Sequence, residues 1–129
     1  MLTEQTSAPP LDDLEPVASA LELVAVIDQA RAIYVEESLN RYIVALLRNT
    51  RSDKRLYLGA SPRAGIALLR VAKARALAAG REFVLPDDVK AVAEVVLAHR
   101  LILAPEAHSA GLTRAEVVRE VLQQTPVPV

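Results

Sequence analysis

Ser61, Pro62 and Arg63 are the residues of this chain best suited to meet an anion. Ser61 has the side chain of an N-cap, whose hydroxyl accepts a hydrogen bond from a backbone N–H of the first helical turn. Pro62 suits the first helical position, where its missing N–H costs nothing. The open amides and the positive end of the helix dipole then lie beside Arg63, whose planar guanidinium can fork onto phosphate oxygens. A capped helix followed by a solvated arginine is also common on protein surfaces. The spacing alone therefore leaves two readings, phosphate contact and a plain exposed helix start.

The remaining chemistry-bearing residues have simpler explanations. The four glycines, Gly59, Gly65, Gly80 and Gly111, form neither a G-x-x-x-x-G-K-[ST] loop nor a G-x-G-x-x-G turn, so the chain by itself has no usual cradle for a triphosphate. His99 and His108 flank Pro105 and lack an H-E-x-x-H frame or a cysteine partner, so no metal site is expected. His99 and Arg100 suit the negative end of a helix, and Asp87 and Asp88 suit a positive one. Ser19 and Ser61 both have capping roles, and no histidine is near either in sequence, so no activated nucleophile is expected.

Composition narrows the class. The 129 residues are 52% hydrophobic but only 3% aromatic, which points to one domain of packed helices built from Leu, Val, Ile and Ala. A net charge of −1 gives no basic field for non-specific nucleic-acid binding. With no cysteine there is no disulfide framework, which is compatible with a reducing cytoplasm. No apolar run approaches the length of a membrane helix, and the N-terminus lacks the pattern of a secretory signal.

Five helical segments must hold Ser61–Arg63 in place. Residues 1–18, with Pro9, Pro10 and Pro16 among acids, read as a linker or tail. A helical domain is expected over residues 19–124, followed by a disordered tail over 125–129. Ser19 with Glu22 forms a capping box that opens a helix with Leu23, Val26, Ile27, Ala30, Ile33 and Tyr34 on its buried face. The next helix sets Leu39, Tyr42, Ile43, Leu46 and Leu47 on one stripe, ahead of a charged loop at Arg51–Arg55. The third runs from about Pro62 to Ala79 and stops at Gly80. Leu68, Leu69, Ala72, Ala76 and Ala79 form its packed face, and Arg63, Arg70 and Arg81 lie in line on the solvated side. Its small residues make it the central helix. Glu82–Leu85 is expected to pair with Tyr57 and Leu58 as a minimal two-strand patch. Pro86 opens a fourth helix with Val89, Val92, Ala93, Val96 and Leu103 inside, ending before Pro105. After a loop at residues 107–111, Thr113 with Glu116 caps a short fifth helix carrying Val117, Val118, Val121 and Leu122.

In this order, the run Tyr42–Arg51, the segment Leu58-Gly59-Ala60-Ser61-Pro62-Arg63-Ala64, the run Gly80–Val89 and the run Val96–Leu101 resemble the C-terminal lid of MoxR-family AAA+ ATPases. The resemblance spans roughly Leu11 to Leu103, and Leu14-Glu15-Pro16-Val17 looks like that family's bridge from core to lid. It implies an all-α helical bundle of the AAA+ lid type. It also implies that Arg63 is the sensor-2 arginine, with Ser61 and Pro62 beside the nucleotide. The family's Walker A, Walker B, sensor-1 and arginine-finger elements belong to a preceding core absent from this sequence. Leu85 stands where the family often has a polar residue before the proline.

What the resemblance implies is an accessory domain of an ATPase in the cytoplasm, without catalysis of its own. ATP and Mg would be cofactors of the longer protein. Its own core, neighbouring subunits of a ring and a von Willebrand factor A domain protein would be the partners, and remodelling or maturation of proteins would be the output. Two alternatives stay open at this point: a free-standing helical interaction module with Arg63 merely on its surface, and DNA binding through the last helix. The second is disfavoured, because Glu116 and Glu120 offset Arg114 and Arg119 and no base-reading pattern is present.

Overall fold

A computed structural model describes residues 14–127. The chain forms α1 (Ala20–Ala32), α2 (Glu37–Ser52), β1 (Leu56–Leu58), α3 (Pro62–Ala78), α4 (Pro86–Leu97), a 3-10 turn (Ala98–Arg100), β2 (Ile102–Leu103), α5 (Pro105–Ser109) and α6 (Arg114–Gln124). This is an all-α bundle with one two-stranded antiparallel sheet. Among the described residues there are six α-helices rather than five, because Pro105 starts a short helix across part of the expected loop. The expected linker lies outside the described residues over positions 1–13; residues 14–18 are exposed and irregular.

The core follows from the two helices with the clearest sequence pattern. α2 buries Leu39, Tyr42, Ile43, Leu46 and Leu47 as the stripe requires, and adds Thr50 one turn on. α3 buries Ala64, Gly65, Leu68, Ala72 and Ala76, and it contacts α1, α2 and α4. Small side chains permit those close approaches. A methyl at Gly65 would lie 2.6 Å from Leu47 Cδ1, so with glycine here the Leu47 side chain packs directly on the α3 backbone. α3 ends in a Schellman turn: Gly80 takes φ +70, its N–H bonds Leu77 O at 2.8 Å, and Arg81 N–H bonds Ala76 O at 3.0 Å.

Three expectations are corrected. The first concerns α1. Ser19 and Glu22 make both halves of their capping box, but the helix buries no residue. Of its expected inner face only Ile33, just past its end, is buried, while Leu21, Leu23, Val24, Val26 and Ile27 stay between 42% and 82% exposed. These five spread over an arc of about 220° around the helix, wider than the single face that α1 turns to α3, and that contact leaves even Val26 and Ile27 half exposed. The second concerns the sheet. β1 pairs with β2, Leu56 opposite Leu103 and Leu58 opposite Ile102, in a stretch assigned to the fourth helix. Pro105 disfavours the helical region at Ala104, which is extended at φ −64, ψ 147, and buried Leu101 turns the chain toward β1. Phe83 instead bridges Tyr34 in parallel: Tyr34 N–H bonds Glu82 O at 2.8 Å and Val84 N–H bonds Tyr34 O at 3.0 Å.

The third correction is at the C-terminus. Thr125, assigned to the disordered tail, is 2% exposed; its hydroxyl donates to Val121 O at 2.7 Å and accepts from Asn49 Nδ2 at 2.8 Å. The end of α6 is thereby fastened to α2.

Candidate functional site

The start of α3 has the cap that its sequence requires. Ser61 is extended at φ −79, ψ 163, and its hydroxyl accepts from Ala64 N–H at 3.3 Å, with Pro62 at the first helical position. Arg63 follows in the second position. It is exposed, and among the described residues neither its guanidinium nor its backbone N–H has a protein acceptor. α1, α2, α4, α5 and α6 each carry an acid in the first turn, namely Glu22, Glu37, Asp87 with Asp88, Glu106 and Glu116. The first turn of α3 has none, so its helix dipole and Arg63 are not offset by a local carboxylate.

The segment before this turn is seated on the end of α2. Thr50, fully buried, donates its hydroxyl hydrogen to Leu47 O at 2.7 Å and accepts from Ala60 N–H at 2.9 Å. Arg51 Nε donates to Ala60 O at 2.8 Å. Gly59 lies so close that a methyl there would stand 2.7 Å from Arg51 N, Arg51 Cα and Thr50 O. The seat was missed in the sequence because α2 was expected to give way to a loop at Arg51, whereas it runs on through Ser52. The signal available was Thr50, a small polar residue falling one turn after Leu46 and Leu47 on the apolar stripe.

α4 starts differently. Asp88, its third residue, is 4% exposed on its side chain and receives Arg81 in a forked pair at 2.7 and 2.6 Å. It also accepts Leu85 N–H at 2.9 Å and lies 3.4 Å from Arg75 Nε. Leu85 offers no side-chain acceptor in return, so this is half of a capping box. The Arg81 hydrogen bonds, helped by the Leu85 amide and the charges of Arg81 and Arg75, hold the Asp88 carboxyl below its ordinary pKa against the opposing effect of burial. Arg81, expected on the solvated side in line with Arg63, is therefore a partly exposed structural cation held against a buried carboxylate. The turn at Gly80 takes it out of the helical phase on which that alignment rested. Arg70 does stay exposed on α3.

Other candidates resolve into structure. His99 Nδ1 lies 3.0 Å from Val95 O, and Arg100 Nε donates to Val96 O at 3.1 Å, so both serve the carbonyl end of α4. His108 lies apart from His99, in the last turn of α5. On α6, Arg119 pairs with Glu94 at 3.1 Å and Glu120 pairs with Arg55, which also holds Asp53 at 2.7 Å. These charges fasten α6 to α4 and to the segment entering β1. Arg119 is thereby answered by an acid within the domain, and Glu116 and Glu120 keep the helix from presenting a basic face. Among the described residues no three His, Cys, Asp or Glu side chains converge to hold a metal, and no helix is long and apolar enough to cross a membrane.

What the α3 start offers chemically is one exposed guanidinium and one open amide, a pair that can meet an anion. Two such donors match one edge of a phosphate group and are too few to enclose a triphosphate. Residues 48–121 match the AAA lid domain family, and the chain belongs to it, as a lid of the MoxR type. The match runs well into α6, so residues 106–121, beyond the sequence motifs, lie within the family domain.

The chain is 35% identical over 129 residues to the uncharacterized protein YeaC of Bacillus subtilis, covering 100% of this chain and 40% of that protein. It is 31% identical over 121 residues to the chaperone MoxR1 of Mycobacterium tuberculosis, covering 87% of this chain and 32% of that one. A crystal structure of a candidate ATPase from Cytophaga hutchinsonii superposes with a TM-score of 0.86 at 29% identity, over 98% of this chain and 41% of that one. The chain thus spans less than half the length of each of these relatives.

Proposed function

We propose that this domain is the sensor-2 lid of an AAA+ ATPase and that Arg63 places positive charge on ATP phosphates held mainly by a core domain. The observation that supports it is the α3 start, where an exposed arginine stands at a helix N-terminus with no acid in its first turn. Ser61 and Pro62 fix the direction of that turn, and Arg63 neutralises the charge that builds on phosphate oxygens as the terminal phosphoryl group leaves. ATP with Mg supplies the cleavable phosphoanhydride. The core would contribute the metal ligands and most of the binding energy.

The exposure of α1 supports the same reading. Five large apolar side chains, 42% to 82% exposed, would each gain on the order of 1 kcal/mol if covered, which favours docking against the core or a neighbouring subunit of a ring. On this proposal residues 1–18 connect core to lid, residues 19–124 form the lid, and the tail begins beyond Thr125. Nucleotide-driven movement of the lid would then remodel or mature partner proteins in the cytoplasm, a von Willebrand factor A domain protein among them. The alternative of a free-standing interaction module explains the α1 surface but gives Arg63 no role.

Titration of ATP into the isotope-labelled chain tests the division of labour. One arginine and one amide should give amide shifts confined to Ser61–Gly65, with a dissociation constant weaker than about 1 mM. Submicromolar binding by this chain alone would overturn the proposal.

A further inference from the structure

We propose that Thr50 and Arg51 are positioning residues for Arg63, setting where its guanidinium stands relative to the rest of the bundle. The inference rests on the reading of Arg63 as a phosphate contact and concerns how that contact is aimed. Thr50 and Arg51 are consecutive in the last turn of α2, and between them they hold both polar atoms of one residue, Ala60: Thr50 Oγ1 takes its N–H at 2.9 Å and Arg51 Nε donates to its carbonyl at 2.8 Å. Ala60 is fully buried, so the two bonds are made inside the protein on one side and at its edge on the other.

The fastening leaves little play. Thr50 is itself fixed, because its hydroxyl hydrogen is committed to Leu47 O at 2.7 Å. Gly59 lies against the backbone of Thr50 and Arg51, with less than the room of a methyl group between them. From Ala60 the chain reaches Arg63 through the capping residue Ser61 and through Pro62, whose ring locks φ. The residue before the pair, Asn49, donates to Thr125 Oγ1 at 2.8 Å, so the turn that seats the arginine segment also holds the end of α6. Arg63 is thus referenced to α2 and α6 rather than to a loop. A displacement of about 1 Å at a catalytic contact can cost on the order of a hundredfold in rate, which gives such a seat its purpose.

The test uses the ATPase polypeptide that carries this domain, with turnover and melting temperature measured for Thr50→Val, Thr50→Ser, Arg51→Met, Arg63→Ala and the double variant Thr50→Val with Arg63→Ala. Thr50→Val removes the hydroxyl and should slow turnover on the order of tenfold. Thr50→Ser, which keeps the hydroxyl, should restore most of it. Arg51→Met removes the bond to Ala60 O from a residue that is otherwise exposed and should slow turnover several-fold, carrying the test if Thr50→Val does not fold. The double variant should be no slower than Arg63→Ala alone. If Arg63→Ala is slow while the Thr50 and Arg51 variants turn over normally, or if their losses add to that of Arg63→Ala, the positioning role is overturned and the phosphate contact survives. If Arg63→Ala itself turns over normally, both fall.

Discussion

The starts of α3 and α4 both place proline at the first helical position, yet one leaves its charge open and the other closes on itself. At α4 the positive helix end meets Asp88, and Asp88 meets Arg81 and Arg75, so every charge is answered within the domain. At α3 the positive helix end meets Arg63, and nothing in the first turn answers it. The α4 start looks built for stability, whereas the α3 start gives up a favourable dipole contact and adds a like charge. A helix start of that kind gains from its charge only when an anion arrives. The comparison teaches that the two arginines flanking α3, equivalent on a helical wheel, divide into one that holds the fold and one available to a ligand.

The largest effect on stability should come from the closed start. Asp88→Asn removes the buried charge that Arg81 and Arg75 answer and should cost about 1 to 3 kcal/mol, less than a fully buried pair because Arg81 keeps part of its surface in water, read by urea or thermal unfolding. Acid should act in the same direction. A carboxyl held below its unfolded value, near about 3.9, stabilises the fold above that pH and loses its contribution as pH falls through the folded value. Asp53, held low by hydrogen bonds from Arg55, and Glu22 and Glu116, held low by their capping partners, should add to acid unfolding. The difference between the wild-type chain and Asp88→Asn isolates the share of Asp88, and it should be full at neutral pH and shrink as pH falls below the ordinary aspartate value of about 3.9.

Effects no larger than that, and then smaller ones, should follow at the open start. Gly59→Ala would press a methyl onto the α2 backbone and should cost about 1 to 3 kcal/mol, with amide shifts spreading from Arg51 to Arg63. Ser61→Ala removes a cap whose hydrogen bond is long, at 3.3 Å, and should cost no more than about 1 kcal/mol. Arg63→Ala should change unfolding free energy by no more than about 0.5 kcal/mol. A larger loss there would mean that Arg63 is a structural residue like Arg81, and the contrast between the two starts would disappear.

What could be read in the sequence was whatever depended on neighbours a few residues away. The α2 stripe, the Ser61 cap, the Thr113 box and the Gly80 stop are local signals, and each has its expected counterpart in the structure. What escaped depends on contacts made after the chain has turned. Arg81 meets Asp88 only because Gly80 redirects the backbone, and β1 chooses Ile102 and Leu103 over Glu82–Leu85 because buried Leu101 leads that stretch toward it. α1 misled for another reason: periodicity reports that a helix has apolar residues to bury, without reporting that the surface burying them is in the same chain. At the site, Ser61, Pro62 and Arg63 were legible from their types, while the seat formed by Thr50 and Arg51 needed the fold to bring residues ten positions apart into contact.

The most direct test of the account measures Arg63→Ala twice in the ATPase polypeptide that carries this domain, once for ATP turnover and once for thermal unfolding. The account predicts a loss of turnover on the order of a hundredfold with a melting temperature within about 2 °C of the unaltered protein. Unchanged turnover and nucleotide affinity, with or without a change in stability, would contradict it.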